Sequence, residues 1–307
     1  MISFKQSNKP LAIIKGGDND GEFIYYHPEI LAENQPKHKP SSYLSGEMFK
    51  KNRKNLKQRD IYKIYEAIDN DGDFSDDDEE IVEYYQKAKH EYKNKSPREI
   101  KIYDGVFQAI PDIEEGQRQA ILISGPSGIG KSTWMSKYIK EYHADFPNNK
   151  IYFFSKKEED PEIDKYKYII RVLLDEEFLE GEPLDCKDLS NSLCCFDDIE
   201  NLSDKKLREV VYKLKDNLLE TGRSENIYLC ITAHLAMNHK DTKITNNEST
   251  AFVFFKGGNV YHTKRYLKEY MGIGPKKIQE LLDQPSRWVY INKFPMYCLT
   301  ENKCFLL

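Results

Sequence analysis

An α/β fold built on a parallel sheet is predicted by three features of this 307-residue chain. From about Ser96 onward, short apolar runs alternate with helical periodicity, the pattern of strand–helix–strand units. One such run, Ile121 to Ile123, leads into GPSGIGKST at 125–133, which fits G-x-x-x-x-G-K-[ST] at Gly125, Gly130, Lys131 and Ser132. A later run, Leu193 to Phe196, ends in two adjacent carboxylates, Asp197 and Asp198. Together these predict a P-loop NTPase sheet with flanking helices, of the ASCE or RecA-like kind with a strand inserted between the two motif strands. A small N-terminal β and helical region and a C-terminal helix-and-hairpin tail complete the chain. The expected divisions are 1–95 for the N-terminal region, 96–258 for the ATPase core and 259–307 for the tail.

Bulk properties bound the function. Hydrophobic residues make up 39% of the chain and charged residues 32%, with a formal net charge of −5. No apolar run approaches the ~20 residues of a membrane span, and Met1 to Pro10 has no signal-peptide core, so no membrane partner is expected. An acidic chain is not a general nucleic-acid binder; contact with DNA calls for local patches or a pore built from several copies. The six cysteines form no C-x-x-C pair, and Cys194, Cys195 and Cys230 lie in apolar runs. They read as reduced core thiols rather than a disulfide frame or a zinc site.

In chain order, LAIIKG and EFIYYH flank a GGDNDG turn and predict a hairpin, and Pro36 to Pro40 reads as a linker. Residues 46–95 read as a charged helical pair. Its basic start (Lys50, Lys51, Arg53, Lys54) is a solvated face or a phosphate-backbone contact. Its acidic turn at 69–80 carries Asp69, Asp71, Asp73 and Glu80 at EF-hand positions, but Phe74 stands where that loop needs Gly, so a solvated turn is the better reading.

The phosphate loop follows. Glycines let the backbone curl with its N–H groups inward, and a helix opening there points its positive end at an anion. Gly125, Pro126, Ser127, Gly128, Ile129, Gly130, Lys131, Ser132 and Thr133 would thus cradle the phosphates of ATP. Lys131 would reach the β- and γ-phosphates, and the Ser132 hydroxyl would ligate Mg²⁺. Strands are expected at 151–155 and 168–173. The run LCCFDDIE at 193–200 then supplies a Walker B strand. Asp197 is assigned to Mg²⁺ and Asp198 to the attacking water, with the roles open to exchange and Glu200 a weaker candidate. Ser203 is expected to cap a helix reaching about Glu220, with Leu207, Val210, Val211, Leu214 and Leu218 on one face.

The strand IYLCIT ends at Ala233 and His234. His234 is placed to touch the γ-phosphate or the water as a sensor, or else is a surface loop histidine. Arg223, in the loop before that strand, is either an ordinary surface arginine or a finger reaching a neighbouring subunit's nucleotide. AFVFFK at 251–256 is expected to be the last strand of the sheet. The tail holds two helices joined at GIGP, which read as an ordinary Gly stop and Pro start or as a helix-hairpin-helix with Lys276 and Lys277 near a DNA phosphate. A strand and a hairpin follow.

Several pieces together resemble the FtsK/HerA-type genome-packaging ATPases of large double-stranded DNA viruses, including the poxvirus packaging ATPase. They are GPSGIGKS, CCFDDIE, LLETGRSENIYLCITAH, NNESTAFVFF and DQPSRWVYINKFPMYCLTENKCFLL. The resemblance runs from about Ala120 to the C-terminus. It implies a homo-oligomeric ring motor that moves double-stranded DNA into a preformed capsid, with capsid or portal-vertex proteins as partners, in the host cytoplasm at the assembly site or in the virion. By position it implies nucleotide binding by Gly125 to Ser132, Mg²⁺ and water handling by Asp197 and Asp198, action in trans by Arg223 and sensing by His234. The chain departs from the pattern in having Asp198 where many relatives have Glu, and His234 where Gln or Asn is common. A GTPase is disfavoured because Asn292-Lys293-Phe294-Pro295 lacks the Asp that reads guanine, and no ABC-type signature is present. A small-molecule kinase and a weakly hydrolysing nucleotide-binding virion or scaffold protein are the alternatives.

Overall fold

The computed structural model describes residues 1–28, 82, 85–86, 98–114, 116–237 and 242–307. The linker expected at Pro36 to Pro40, the acidic turn at 69–80 and nearly all of the charged helical pair lie outside the described residues. Two compact units are formed, one from Met1–Ser3 and Tyr26–Ile100, the other from Phe4–Tyr25 and Lys101–Leu307. The described part of the first unit contributes strand β1 (Ile2–Ser3) and most of β4 (Glu99–Lys101). In it the His27 N–H donates to the Met1 carbonyl at 2.9 Å, and its Nε2 lies 2.8 Å from Ser3 Oγ.

The second unit contains the expected hairpin, β2 (Lys9–Lys15) and all but the last residue of β3 (Phe23–Tyr26). The Gly21 N–H donates to the Ile14 carbonyl at 2.8 Å across the turn. Strand β5 (Val106–Ala109) runs antiparallel to β2 on its other side, with Ala109 opposite Ala12.

The strand–helix alternation then builds the main sheet. In order come β6 (Ala120–Ser124), helix α1 (Lys131–Asp145), β7 (Lys150–Ser155), α2 (Pro161–Asp164) and β8 (Ile169–Leu173). They are followed by α3 (Glu176–Glu180), β9 (Ser192–Asp197), α4 (Lys205–Thr221), β10 (Ile227–Ala233), α5 (Lys243–Glu248) and β11 (Ala251–Phe255). The last elements are α6 (Val260–Glu269), α7 (Pro275–Leu282), β12 (Trp288–Asn292), β13 (Tyr297–Leu299) and β14 (Lys303–Leu306). The strand order is β14-β13-β12-β11-β6-β10-β9-β7-β8. The strands from β11 to β8 are mutually parallel, and β12, β13 and β14 add antiparallel ladders at one side.

Strands β6, β9, β10 and β11 are buried at every residue. That explains their unbroken apolar runs: a parallel strand covered on both faces has no reason to alternate. The expected inserted strand is β10, which lies between β6 and β9, with Ala233 level with Ser124 and Ile231 level with Phe196. The carboxyl ends of the two motif strands and of β10 therefore share one edge of the sheet, where ligands of open α/β sheets bind.

Three expectations are corrected. AFVFFK is not the last strand, because β11 also pairs with β12 (Val253 opposite Tyr290) and the tail hairpin extends the same sheet. Ser203 does not cap α4; the Asp204 carboxylate accepts from the Leu207 N–H at 2.7 Å, and a carboxylate is favoured at a helix's positive end. Val210 is exposed, since the buried stripe of α4 follows Leu207, Val211, Leu214 and Leu218 at steps of three and four.

Candidate nucleotide site

The phosphate loop leaves β6 at Gly125, whose N–H donates to the Ala233 carbonyl at 3.0 Å and so ties the loop to β10. A Cβ on Gly125 would meet Ile129 Cγ2 at 2.9 Å, and Gly130 has φ 113°, a conformation that side chains rarely adopt. Pro126, Ser127 and Gly128 are exposed at the loop's crest, with Ile129 and Gly130 half-buried. Helix α1 starts at Lys131 with no side-chain cap at Gly130. Its first-turn N–H groups, those of Ser132 and Thr133 among them, are thereby left to an anion. Lys131 is 6% exposed; its Nζ donates to the Gly125 carbonyl at 2.9 Å and lies 3.3 Å from Asp198 Oδ1.

Strand β9 delivers the carboxylates. Asp197 is buried, and Asp198 immediately after it takes a left-handed conformation (φ 47°, ψ 36°). Such backbone is sparsely populated by residues other than glycine and clusters at functional sites. It is held by Thr232 of β10: the Asp198 N–H donates to Thr232 Oγ1 at 2.8 Å, and that hydroxyl donates to Asp197 Oδ1 at 2.9 Å. Lys157, just beyond β7, places Nζ 3.1 Å from Asp197 Oδ2 and 3.6 Å from Asp198 Oδ2. Burial and then the Asp198 charge push the Asp197 carboxyl above its usual range, only partly offset by Lys157 and Thr232. Burial acts against the Lys157 ammonium, but the Asp197 and Asp198 charges outweigh it and raise its pKa.

His234 stands at the end of β10 with Nδ1 3.1 Å from Glu200 Oε1 and Nε2 3.7 Å from Asp198 Oδ1. Its backbone N–H also donates to Glu200. Burial, first, raises the Glu200 carboxyl, with the bonds from His234 working the other way. Asp198, Glu200 and His234 each offer a ligand atom, and these lie within 4.8 Å of one another.

The donor chemistry fits the groups the motifs imply. An uncapped helix start with an adjacent lysine suits a polyphosphate. The Ser132 hydroxyl and the Asp197 carboxylate are hard oxygen donors of the kind Mg²⁺ takes, and Asp197 already faces a cationic group in Lys157.

Lys131, Asp197, Asp198 and His234 are thus brought to one edge of the sheet. Arg223 is not. It lies before the first residue of β10, the opposite end from His234, is exposed, and donates from Nε to the Gly116 carbonyl at 3.1 Å. The seven residues of β10 span about 23 Å at the usual rise per residue. Within its own chain it meets none of the other candidates. Sequence reasoning missed Lys157 and Thr232, and did not foresee that Glu200 lies beside His234. The one signal was Thr232, the single aliphatic hydroxyl in the run of β10.

Protein V3 of Sputnik virophage, itself uncharacterized, is 35% identical over 223 residues, covering 70% of this chain and 89% of V3. The chain belongs to the V3 family. A family model for an AAA domain, AAA_14, matches residues 117–268. Among solved structures, the chain is similar to the genome-packaging NTPase B204 of Sulfolobus turreted icosahedral virus 2 in complex with AMPPCP. The two are 10% identical with a TM-score of 0.43, over 60% of this chain and 97% of B204. It is also similar to the pCW3 conjugation coupling protein TcpA with ATPγS, at 12% identity and a TM-score of 0.44, over 69% of this chain and 67% of TcpA.

Proposed function

We propose that this chain hydrolyses ATP with Mg²⁺ and uses the turnover to drive double-stranded DNA into a viral capsid as a homo-oligomeric ring. The observation that carries the catalytic part is the meeting of Lys131, Asp197, Asp198, Glu200 and His234 at the carboxyl ends of β6, β9 and β10, with Lys131 Nζ 3.3 Å from Asp198 Oδ1. The motor part rests on the motif resemblance and on membership of a family with a virophage protein. Capsid or portal-vertex proteins are the implied partners, and the virus assembly site or the virion the implied location. The division into an N-terminal region (1–95), a core (96–258) and a tail (259–307) belongs to the same reading.

The residues divide the work as follows. Gly125 to Thr133 wrap the phosphates, and Lys131 offsets charge that builds on them during phosphoryl transfer. Ser132 and Asp197 would hold Mg²⁺, which neutralises phosphate charge when bound. Asp198, fixed in its strained conformation by Thr232, orients the attacking water and accepts its proton. Glu200 accepts from the His234 backbone N–H and lies 3.1 Å from its Nδ1, with Nε2 on the Asp198 side at 3.7 Å, where the ring can sense the water or the terminal phosphate. Arg223, excluded from its own chain's site, acts on a neighbour's.

The test is ATP turnover with and without duplex DNA, with the mass of the assembly measured alongside. Turnover stimulated by DNA in an oligomer supports the motor. Turnover that needs a phosphoryl acceptor would make it a kinase, and nucleotide binding without turnover would make it a scaffold.

A further inference from the structure

Between Lys256 and Lys277 the chain carries six basic residues against a single acidic one, Glu269, although the whole chain has a net charge of −5. The fold gathers this charge on one surface. The buried side of α6 is Thr263, Tyr266 and Leu267, so Tyr261, Lys264, Arg265 and Lys268, three and four residues apart, share its exposed side. Lys264 Nζ donates to Gln279 Oε1 at 3.1 Å, which joins that side to the exposed side of α7, where Lys276 stands one turn before Gln279. Two of the cations are matched within the chain, Arg265 by Glu269 at 2.8 Å and Lys277 by Glu280 at 3.2 Å. Lys256, Lys268 and Lys276 are exposed and make no ion pair among the described residues. Between the helices the chain turns through Gly272, at φ 66°, and beyond their neighbours no atom lies within 4 Å of where a Cβ on Gly272 or Gly274 would stand. Helix α7 then starts at Pro275 with no side-chain cap, which leaves the N–H groups of Lys276 and Lys277 to an acceptor from outside the chain. The same surface begins at the phosphate loop. A Cβ on Gly258, in the turn that opens α6, would stand 3.7 Å from Pro126 Cδ and 3.9 Å from Gly125 Cα.

We propose that the exposed side of α6 and the start of α7 hold the phosphate backbone of duplex DNA. Unpaired lysines, the hydroxyl of Tyr261 and open backbone N–H groups are the donors that phosphate oxygens take. Tyr261 to Lys268 runs about 10 Å along α6, and over that length a duplex presents roughly six phosphate charges. Lysines on flexible stems make point-charge contacts, which position a backbone and do not choose bases. The binding is therefore independent of sequence, as a translocating protein requires. The proposal rests on the DNA-motor reading above, for which it names the surface that bears the DNA, and its test keeps the two apart.

The full chain is titrated against a labelled duplex of mixed sequence by fluorescence anisotropy across a range of salt, with and without AMPPCP and Mg²⁺. One variant carries Lys268→Gln with Lys276→Gln. A second, of the same net charge, carries Lys205→Gln with Lys206→Gln, two exposed positions on α4. All four side chains are exposed, so both variants should melt near the parent. The Lys268 and Lys276 variant should bind about tenfold more weakly at about 0.1 M salt. Its slope of log affinity against log salt should fall by about 2, since each phosphate contact supplies about 0.9. The α4 variant should keep the parent's affinity and slope. If the parent binds duplex and both variants match it, or both weaken alike, this surface does not hold DNA and the motor reading stands without it. If polyglutamate displaces the duplex as readily at equal charge, the surface takes an acidic polypeptide and the proposal falls. If the parent binds no duplex in either nucleotide state, the motor reading fails and takes this proposal with it.

Discussion

Replacing Thr232 by valine keeps the shape of the side chain and removes one hydroxyl, and that hydroxyl joins two strands. It accepts from the Asp198 N–H at 2.8 Å and donates to Asp197 Oδ1 at 2.9 Å, on a residue that is 1% exposed. In Thr232→Val the Asp198 N–H loses its acceptor, worth about 1–2 kcal/mol for a group no longer bonded, and the Asp197 carboxylate loses a charge-assisted bond worth about 1.5–3 kcal/mol. Shared context makes the two less than additive, so a loss of about 2–4 kcal/mol is expected, or roughly 5–10 °C in melting temperature for a domain of this size. Thr232→Ser keeps the oxygen and loses a methyl, about 0.8 kcal/mol. The Asp198 backbone is also released from its left-handed conformation, so ATP turnover in the valine variant should fall well beyond any change in nucleotide affinity. Thermal or urea unfolding of the three proteins, with turnover measured below the transitions, decides it. If valine and serine variants unfold together, the hydroxyl is not holding the carboxylate pair and the account of Asp198 fails.

Lys131→Ala should abolish hydrolysis and also lower the melting temperature, because the buried ammonium bonds the Gly125 carbonyl and pairs with Asp198, with the fold retained below the transition; turnover, scanning calorimetry and circular dichroism read it, and a fully active variant contradicts the phosphate-loop assignment. Asp198→Asn should bind Mg-ATP and turn it over very slowly, whereas Asp197→Asn should lose Mg²⁺-dependent affinity; equal loss of binding in both shows the two roles are not separable. Glu200→Gln should lower turnover less than Asp198→Asn does, because it acts by orienting His234; equal effects make Glu200 a direct participant. Arg223→Ala should lose on the order of 10³-fold in turnover with little change in affinity. Mixing it with Asp198→Asn should restore a fraction of activity that grows with protein concentration, since intact Arg223 and Asp198 then meet between chains. A mixture that co-assembles and stays inactive places Arg223's effect within its own chain.

The sequence by itself determined the α/β class, the phosphate loop and the carboxylate strand. Each is a local rule: glycine where φ must be positive, unbroken apolar runs where a strand is covered on both faces, and acids where such a strand ends. Local rules were also enough to place the hairpin of β2 and β3 and the buried thiols. What the sequence left open is whatever depends on strand order. That β10 lies between β6 and β9 sets His234, Lys131 and Asp198 together, and only that pairing gives Thr232 its two partners, 34 and 35 residues away in the chain. Lys157 is one more lysine in a lysine-rich sequence until β7 is seen beside β9. The end of the sheet was misjudged for the same reason, since nothing in AFVFFK says whether another strand pairs beyond it. Hydrogen bonds between strands belong to the backbone and carry no residue signature, so register and neighbours are fixed only when the whole core packs.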